Sequence, residues 1–600
     1  MSILVALSVV LTGINGLFGA AAPLPLIPQH AVVLQSSETK PLLRNAPQEP
    51  RVFLAASEDE AVAQGAFKMG IGLASVADWS AQQPFLDVMK TARPWLGHLP
   101  GQFGGMEYEE LLEKGVLDGD GWPLWVPSEL GSIGTVILTD MPAGAKSLSG
   151  RYRLAFDGGG IIEVRGRAER VHYKKNVITF DYKPGPGLVD IRIQQSDPAD
   201  PVRNITVIKE EHLGDYAAGS RFNPYWIDRI RDFKGLRFMD WMGTNHATLS
   251  EWRARPKPDD FTYAQKGVPV EIQVALANEL SIDPWFNVPH LADDAFVRAF
   301  AEYVKDNLDP NLKAYVEFSN EVWNWQFSQA RWADEQALAR WGQKDAWVQY
   351  YALRATQVAQ IWSEVFSNEA AERLVNVIST QTGWIGLEQA ILNAPLWQAE
   401  SPGAPIPAEA FDAYAVTGYL GGVLGMAEYE SLVQTWLSES LEQAKVEADA
   451  AGLRGEAADK YIVEHRYDRA STLAARDLMD GSLSGSSGAL FDLTERIWPY
   501  HAQVARTHGL DLIVYEGGTH IVGIGPQVDN AELTAFMQHF NYSPEMGRIY
   551  GLLLRAWGDL GGGLFAAYND VYAPTKWGSW GGLRHLDDHN PRWDALISFQ

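Results

Sequence analysis

Cysteine is absent from the 600 residues. Disulfides, thiolate metal sites and a thiol nucleophile are excluded with it. Basic residues are in the minority, 49 Lys and Arg against 75 Asp and Glu, for a formal charge of −26. A nucleic acid or an anionic membrane calls for a basic face, so neither is an expected partner. No Walker-type phosphate loop, G-x-S-x-G elbow or H-E-x-x-H pair occurs, which argues against nucleotide binding, α/β-type serine hydrolysis and a zincin site. Past the N-terminus no apolar run approaches membrane length.

Tryptophan, by contrast, is plentiful at 22 residues. Residues 1–22 hold an apolar run ending in small residues and read as a secretory signal peptide, although no Lys or Arg precedes the run. A short membrane anchor or a mis-called start is the alternative. Removal of the peptide implies a secreted or periplasmic protein with no membrane partner. Residues 23–66, rich in Pro and Ala, read as a linker or extended lead-in.

From Phe67 strand and helix patterns alternate. Eight apolar strands are expected near residues 70, 237, 285, 315, 376, 413, 513 and 565, with helical pattern between almost every pair. Eight β/α units predict a closed (β/α)₈ TIM barrel over 67–97 and 213–600, with chemistry at the carboxyl ends of the strands. An open doubly wound sheet is the structural alternative, but the expected glycine-rich loop after its first strand is missing. Residues 98–212 differ in character: short alternating runs broken by Gly and Pro predict a β-sandwich inserted between barrel strands one and two. A helical elaboration is expected between strands six and seven.

Two carboxylates stand at strand tips. KAYVEFSNEVWNWQF (313–327) places Glu321 after the fourth barrel strand, and LDLIVYEGG (510–518) places Glu516 after the seventh. Both tips face the same mouth of a barrel. Two facing carboxylates can cleave an acetal, one protonating the leaving oxygen and the other attacking or stabilising the anomeric carbon. Mutual charge and burial would raise one pKa enough to keep its proton near neutrality.

Asn320-Glu321 after strand four, with Glu516 after strand seven, resembles the clan of retaining (β/α)₈ glycoside hydrolases that includes cellulases, β-mannanases and β-galactosidases. The resemblance covers the barrel and leaves the inserted sandwich unexplained. It implies Glu321 as general acid/base, Glu516 as nucleophile and Asn320 as a hydrogen-bonding partner of the sugar 2-hydroxyl. It also implies Arg237 beside the nucleophile, Tyr419 as a loosely matched donor to it, and His290 at the end of strand three. For Arg237 a buried pair with Asp240 is the alternative, and for His290 a structural histidine.

Trp79, Trp241, Trp323, Trp325, Trp384, Trp557, Trp577 and Trp580 fall near the expected strand tips. Indoles there can stack on sugar rings, so Trp241, Trp323, Trp325, Trp557, Trp577 and Trp580 join the candidate substrate contacts. His585, Asp587, Asp588 and His589 form the one cluster resembling metal ligands and read as a polar loop, so neither metal nor organic cofactor is expected. The expected activity is β-glycan cleavage by double displacement. A non-catalytic carbohydrate-binding barrel, or a transglycosylase with the same site, remains open.

Overall fold

The computed structural model describes residues 67–600. The expected signal peptide and lead-in lie outside the described residues. Eight parallel strands close a barrel: β1 (Met69–Gly72), β11 (Gly235–Arg237), β12 (Asp283–Val288), β13 (Ala314–Phe318), β14 (Leu374–Ser379), β15 (Ala413–Gly421), β16 (Asp511–His520) and β17 (Phe565–Ala567). Each pairs with its neighbour in that order, and β17 returns to β1. Trp285, Tyr315, Val377, Ala413, Ala415, Ile513, Tyr515 and Leu564 fill the inside of the barrel. The outer strand faces pack against amphipathic helices such as Asp294–Asn307, whose Phe296, Val297, Phe300, Ala301 and Val304 are buried. Asp293 caps that helix by accepting from Phe296 N at 2.6 Å, satisfying one of the backbone donors that a helix start leaves unpaired.

Nine further strands fall between β1 and β11: β2 (Leu96–His98), β3 (Gly105–Met106), β4 (Ser132–Ile137), β5 (Gly150–Asp157), β6 (Gly160–Gly166), β7 (Glu169–Lys174), β8 (Val177–Tyr182), β9 (Val189–Ser196) and β10 (Arg203–Lys209). They form two antiparallel sheets, ordered β10-β5-β8-β7 and β3-β2-β4-β9-β6, around one apolar core. Strand β5 alternates buried Tyr152, Leu154 and Phe156 with more exposed neighbours, as a sheet covered on one face requires. Phe261, from the loop after β11, enters this core and stacks on Trp95 with ring centroids 5.2 Å apart.

Several barrel strands are shorter than the apolar runs suggested. The run MGIGLASVA reads as a strand to Ala77 but β1 stops at Gly72, and LRFMDW reads as a strand to Trp241 but β11 stops at Arg237. Trp241 is consequently a core residue beneath the loop: fully buried among Phe85, Trp226 and Phe238, with its N–H donated to Ala74 O at 3.0 Å. Trp557 is equally buried, on helix Pro544–Asp559 against Trp498 and Phe565. Neither indole can stack on a ligand. Helices Glu430–Ala450, Glu456–His465 and Asp468–Asp480 make a layer between β15 and β16.

Candidate active site

The carboxyl-end mouth of the barrel is built around Arg237, the last residue of β11. Its Nη1 donates to Glu516 Oε1 at 2.6 Å, and its Nη2 donates to Glu317 Oε2 at 2.9 Å and to Asn320 Oδ1 at 2.8 Å. The alternative partner, Asp240, is held instead by Tyr568, whose hydroxyl donates to it at 2.9 Å. Arg237 is buried, which works against its charge, but Glu317 and Glu516 outweigh that and lift its pKa above the usual guanidinium value.

Glu317 is a site residue that the sequence reading missed. It lies inside β13 with 0% exposure, and its Oε2 also accepts from Trp285 Nε1 at 3.1 Å and Asn287 Nδ2 at 2.9 Å. The missed signal was a carboxylate in an otherwise apolar strand, AYVEF, where an ionisable side chain needs a dedicated partner.

Glu321 follows in a tight reversal. Ser319 and Glu321 both take left-handed backbone angles, φ 61° and 42°. Such angles are costly for residues with a side chain and persist where surrounding contacts over-determine them. Those contacts are visible: Asn324 N donates to Glu321 O at 2.7 Å, and Gln329 Nε2 donates to Asn320 O at 2.8 Å. The reversal turns the Glu321 carboxyl into the mouth, where Oε1 accepts from Tyr515 at 3.1 Å and Oε2 from Asn324 Nδ2 at 3.0 Å. Asn320 Nδ2 donates to Asn245 Oδ1 at 3.1 Å.

Glu516 arrives by a different device. The strand runs on past it to His520, and the register against β15 slips between Val416 and Thr417, so that Val416 pairs with Val514 and Thr417 with Glu516. Tyr515 is the extra residue of this bulge. In a regular strand Tyr515 and Glu516 would point to opposite faces. The bulge lets both reach the mouth, Tyr515 toward Glu321 and Glu516 toward Arg237 and Tyr419. Tyr419 O–H donates to Glu516 Oε2 at 3.0 Å. A Cβ at Gly517 would stand 2.4 Å from the Phe565 ring, so the bulge needs glycine there.

The two glutamates differ electrostatically. Burial, and then the charge of Glu516, pushes Glu321 up to about 8, so it keeps its proton at neutral pH. Glu516 is also raised by burial, but Arg237 and Tyr419 oppose the rise by stabilising its carboxylate. Asp240 is pushed up to about 7 by burial and by Glu516.

The aromatic candidates divide. Trp580 is buried in a cluster with Met239 and Tyr568, against which Tyr419, Tyr572 and Trp577 pack. Trp580 and Trp577 therefore wall the Glu516 side of the mouth. Trp323 is buried within the main core. Trp325, 42% exposed, leans on Trp347, and Trp384, 39% exposed, lies on the other side of Trp347. His290 is buried against Trp332 and bonds to neither glutamate, and burial lowers its pKa to about 4. Asn287, three residues earlier, and Trp285 are the β12 side chains that join the network. At the far C-terminal loop Asp588 is held by Arg584 and Asn590, and Asp587 accepts from Ser147.

These features define a closed parallel barrel with a proton-holding carboxyl and an arginine-bound carboxylate at its carboxyl-end mouth. The chain matches no protein-family model and no curated protein. Among solved structures it is similar to a GH5-4 broad specificity endoglucanase from Clostridium longisporum, with TM-score 0.31 and 10% identity over 64% of this chain and 87% of that one. A GH5-4 broad specificity endoglucanase from Bacteroides salanitronis aligns with TM-score 0.30 and 11% identity over 62% and 82%. A glycoside hydrolase family 5 mannosidase from Rhizomucor miehei aligns with TM-score 0.21 and 11% identity over 64% and 89%.

Proposed function

We propose that the protein is an exported glycoside hydrolase that cleaves a β-linked glycoside by double displacement with retention. The observation that carries this reading is the pair itself: Glu321, buried and protonated near neutrality, beside Glu516, a carboxylate oriented by Arg237 and Tyr419. A carboxyl that burial holds protonated, next to one that Arg237 and Tyr419 draw toward the anion, is the asymmetry that acid-assisted acetal cleavage requires. In the first step Glu516 attacks the anomeric carbon, the C–O bond breaks, and Glu321 gives its proton to the leaving oxygen. In the second, Glu321 takes a proton from water, which displaces Glu516 and leaves the anomeric configuration retained. Interception of the intermediate by a sugar hydroxyl instead of water would make the same site a transglycosylase. In this reading Asn320 and Asn245 meet the sugar, and Tyr568 and Trp580 wall it.

The test is reducing-sugar release from β-glucans, mannans, xylans and galactans by the parent, Glu321→Gln and Glu516→Gln. Loss of roughly 10²–10⁴-fold is expected for the acid and roughly 10⁴-fold or more for the nucleophile. A polymer cut equally well by either variant refutes the assignment. Binding of a polymer by the parent without turnover favours the non-catalytic reading.

A further inference from the structure

Beside the carboxylate pair, beyond the ends of β14, β15 and β16, lies a cavity of about 400 Å³. Its apolar lining comes from Ile385, Val423, Met426, Leu478, Leu493 and Ile497. Helix Asp468–Asp480 and the segment after it supply the far wall, so the helical layer between β15 and β16 is what encloses the space. The near wall contains Tyr419 and His520. Tyr419 is also the donor to Glu516, so the cavity and the catalytic centre share this wall. The volume is in the usual range for small-molecule sites, roughly 300–1,000 Å³.

His520 shows which way this wall is poised. Its ring stacks at 10° on Trp580, and Nδ1 accepts the Trp580 indole N–H at 3.3 Å. Burial keeps the imidazole neutral. A neutral imidazole that accepts at Nδ1 carries its hydrogen on Nε2. His520 is only 8% exposed, and that Nε2 has no partner among the described residues. A buried donor without an acceptor is costly, and a ligand oxygen would relieve the cost. Among the acids of the lining, Asp492 binds Arg496 and Ser487, and Asp477 accepts from the backbone of Leu483 and Ser484 through Oδ1, while its Oδ2 has no partner among the described residues.

We propose that this cavity holds an apolar aglycone, an alkyl or aryl group carried on the anomeric oxygen of the substrate, with His520 Nε2–H donating to an oxygen of the bound glycoside. The proposal rests on the glycosidase reading above and names its substrate class. Polar partners for a sugar gather in the opposite sector, where Asn245, Asn320 and Asp240 follow β11 and β13. A second sugar in the cavity would find Gln381, Thr382, Ser486 and Ser487, but most of the surface it covered would be apolar, and hydroxyls set there lose hydrogen bonds to water. An alkyl or aryl group placed there instead leaves water at a gain.

The test measures calorimetric binding of n-octyl and methyl 1-thio-β-glycosides of glucose, mannose, galactose and xylose, ligands that resist turnover. For at least one sugar the octyl compound should bind at least ~10-fold more tightly than the methyl, since each buried methylene is worth roughly fourfold in affinity. Val423→Asp should abolish the difference. Ile385→Asp, at a residue 47% exposed and so safe for folding, should reduce it. His520→Phe should weaken binding of both compounds. Equal octyl and methyl affinities, no binding of any octyl glycoside, or an octyl gain that survives both aspartate variants would each overturn the proposal. Turnover of the matching O-glycosides is measured in parallel. Octyl binding without turnover refutes the glycosidase reading and leaves the cavity assignment standing, whereas turnover without octyl preference does the reverse.

Discussion

Glu321 and Glu516 share one side-chain chemistry and differ in their donors. Glu321 accepts from two neutral groups, Tyr515 and Asn324, whereas Glu516 accepts from the charged Arg237 and from Tyr419. Charge-assisted bonds favour the anion more strongly, so the proton settles on Glu321. The profile of kcat/KM against pH should be a bell whose alkaline limb is Glu321 losing its proton near 8. Tyr515 favours the ionised form of Glu321, so Tyr515→Phe should move that limb to higher pH, with a loss at the optimum of about tenfold or less. A limb that moves down, or stays, contradicts the role given to Tyr515. The same titration affects stability. In the folded chain Glu321 holds a proton that the unfolded chain releases from pH 4.5 upward, so between about 4.5 and 8 its contribution to stability falls as pH rises. Glu321→Gln removes that fall. Its melting temperature should exceed the parent's by a margin that grows from pH 5 to pH 8, reaching about 2 °C or more.

At the scale of elements, strand periodicity was easier to read than strand length. The order of the eight barrel strands is visible in the apolar runs, and the positions of Glu321 and Glu516 stand out because each follows such a run beside Asn or Gly, whereas Arg237 lies inside the run LRFMDW and was singled out only by the resemblance. Two things were hidden. The runs continue past the pairing: LRFMDW pairs only through Arg237, and its tail buries Trp241 under the loop, which made a core indole look like a ligand platform. The bulge at Tyr515 leaves no mark in composition, since two adjacent residues share a duty only through a register slip that pairing reveals. Glu317 escaped for a related reason: its partners come from β11 and β12, far away in sequence. Loops also bind elements together. Phe261 belongs to the barrel by sequence and to the sandwich by packing, against Trp95 and Trp122. Phe261→Ala should cost about 3–5 kcal/mol in denaturant unfolding. A loss under about 1 kcal/mol would mean that the sandwich core does not depend on this ring.

At the scale of the whole molecule, the barrel carries the carboxylates and two additions interrupt it, the sandwich between β1 and β11 and the helical layer between β15 and β16. The sandwich is fastened beside β1 through Asp78, which accepts from Arg93 at 2.8 Å and from Thr139 at 2.5 Å. The helical layer between β15 and β16 closes the apolar cavity next to Glu516. Among the described residues no helix is long and apolar enough to cross a membrane. The proposed double displacement requires that Glu516 form a covalent bond to the sugar while Glu321 supplies the proton. The most direct measurement is intact-protein and peptide mass spectrometry after incubation with activated 2-deoxy-2-fluoro-β-glycosides of glucose, mannose, galactose and xylose. One sugar should add stoichiometrically, with the label on the peptide containing Glu516 and none on Glu516→Gln. A label on another residue, or rapid turnover of every compound with inversion and no adduct, would contradict double displacement through Glu516.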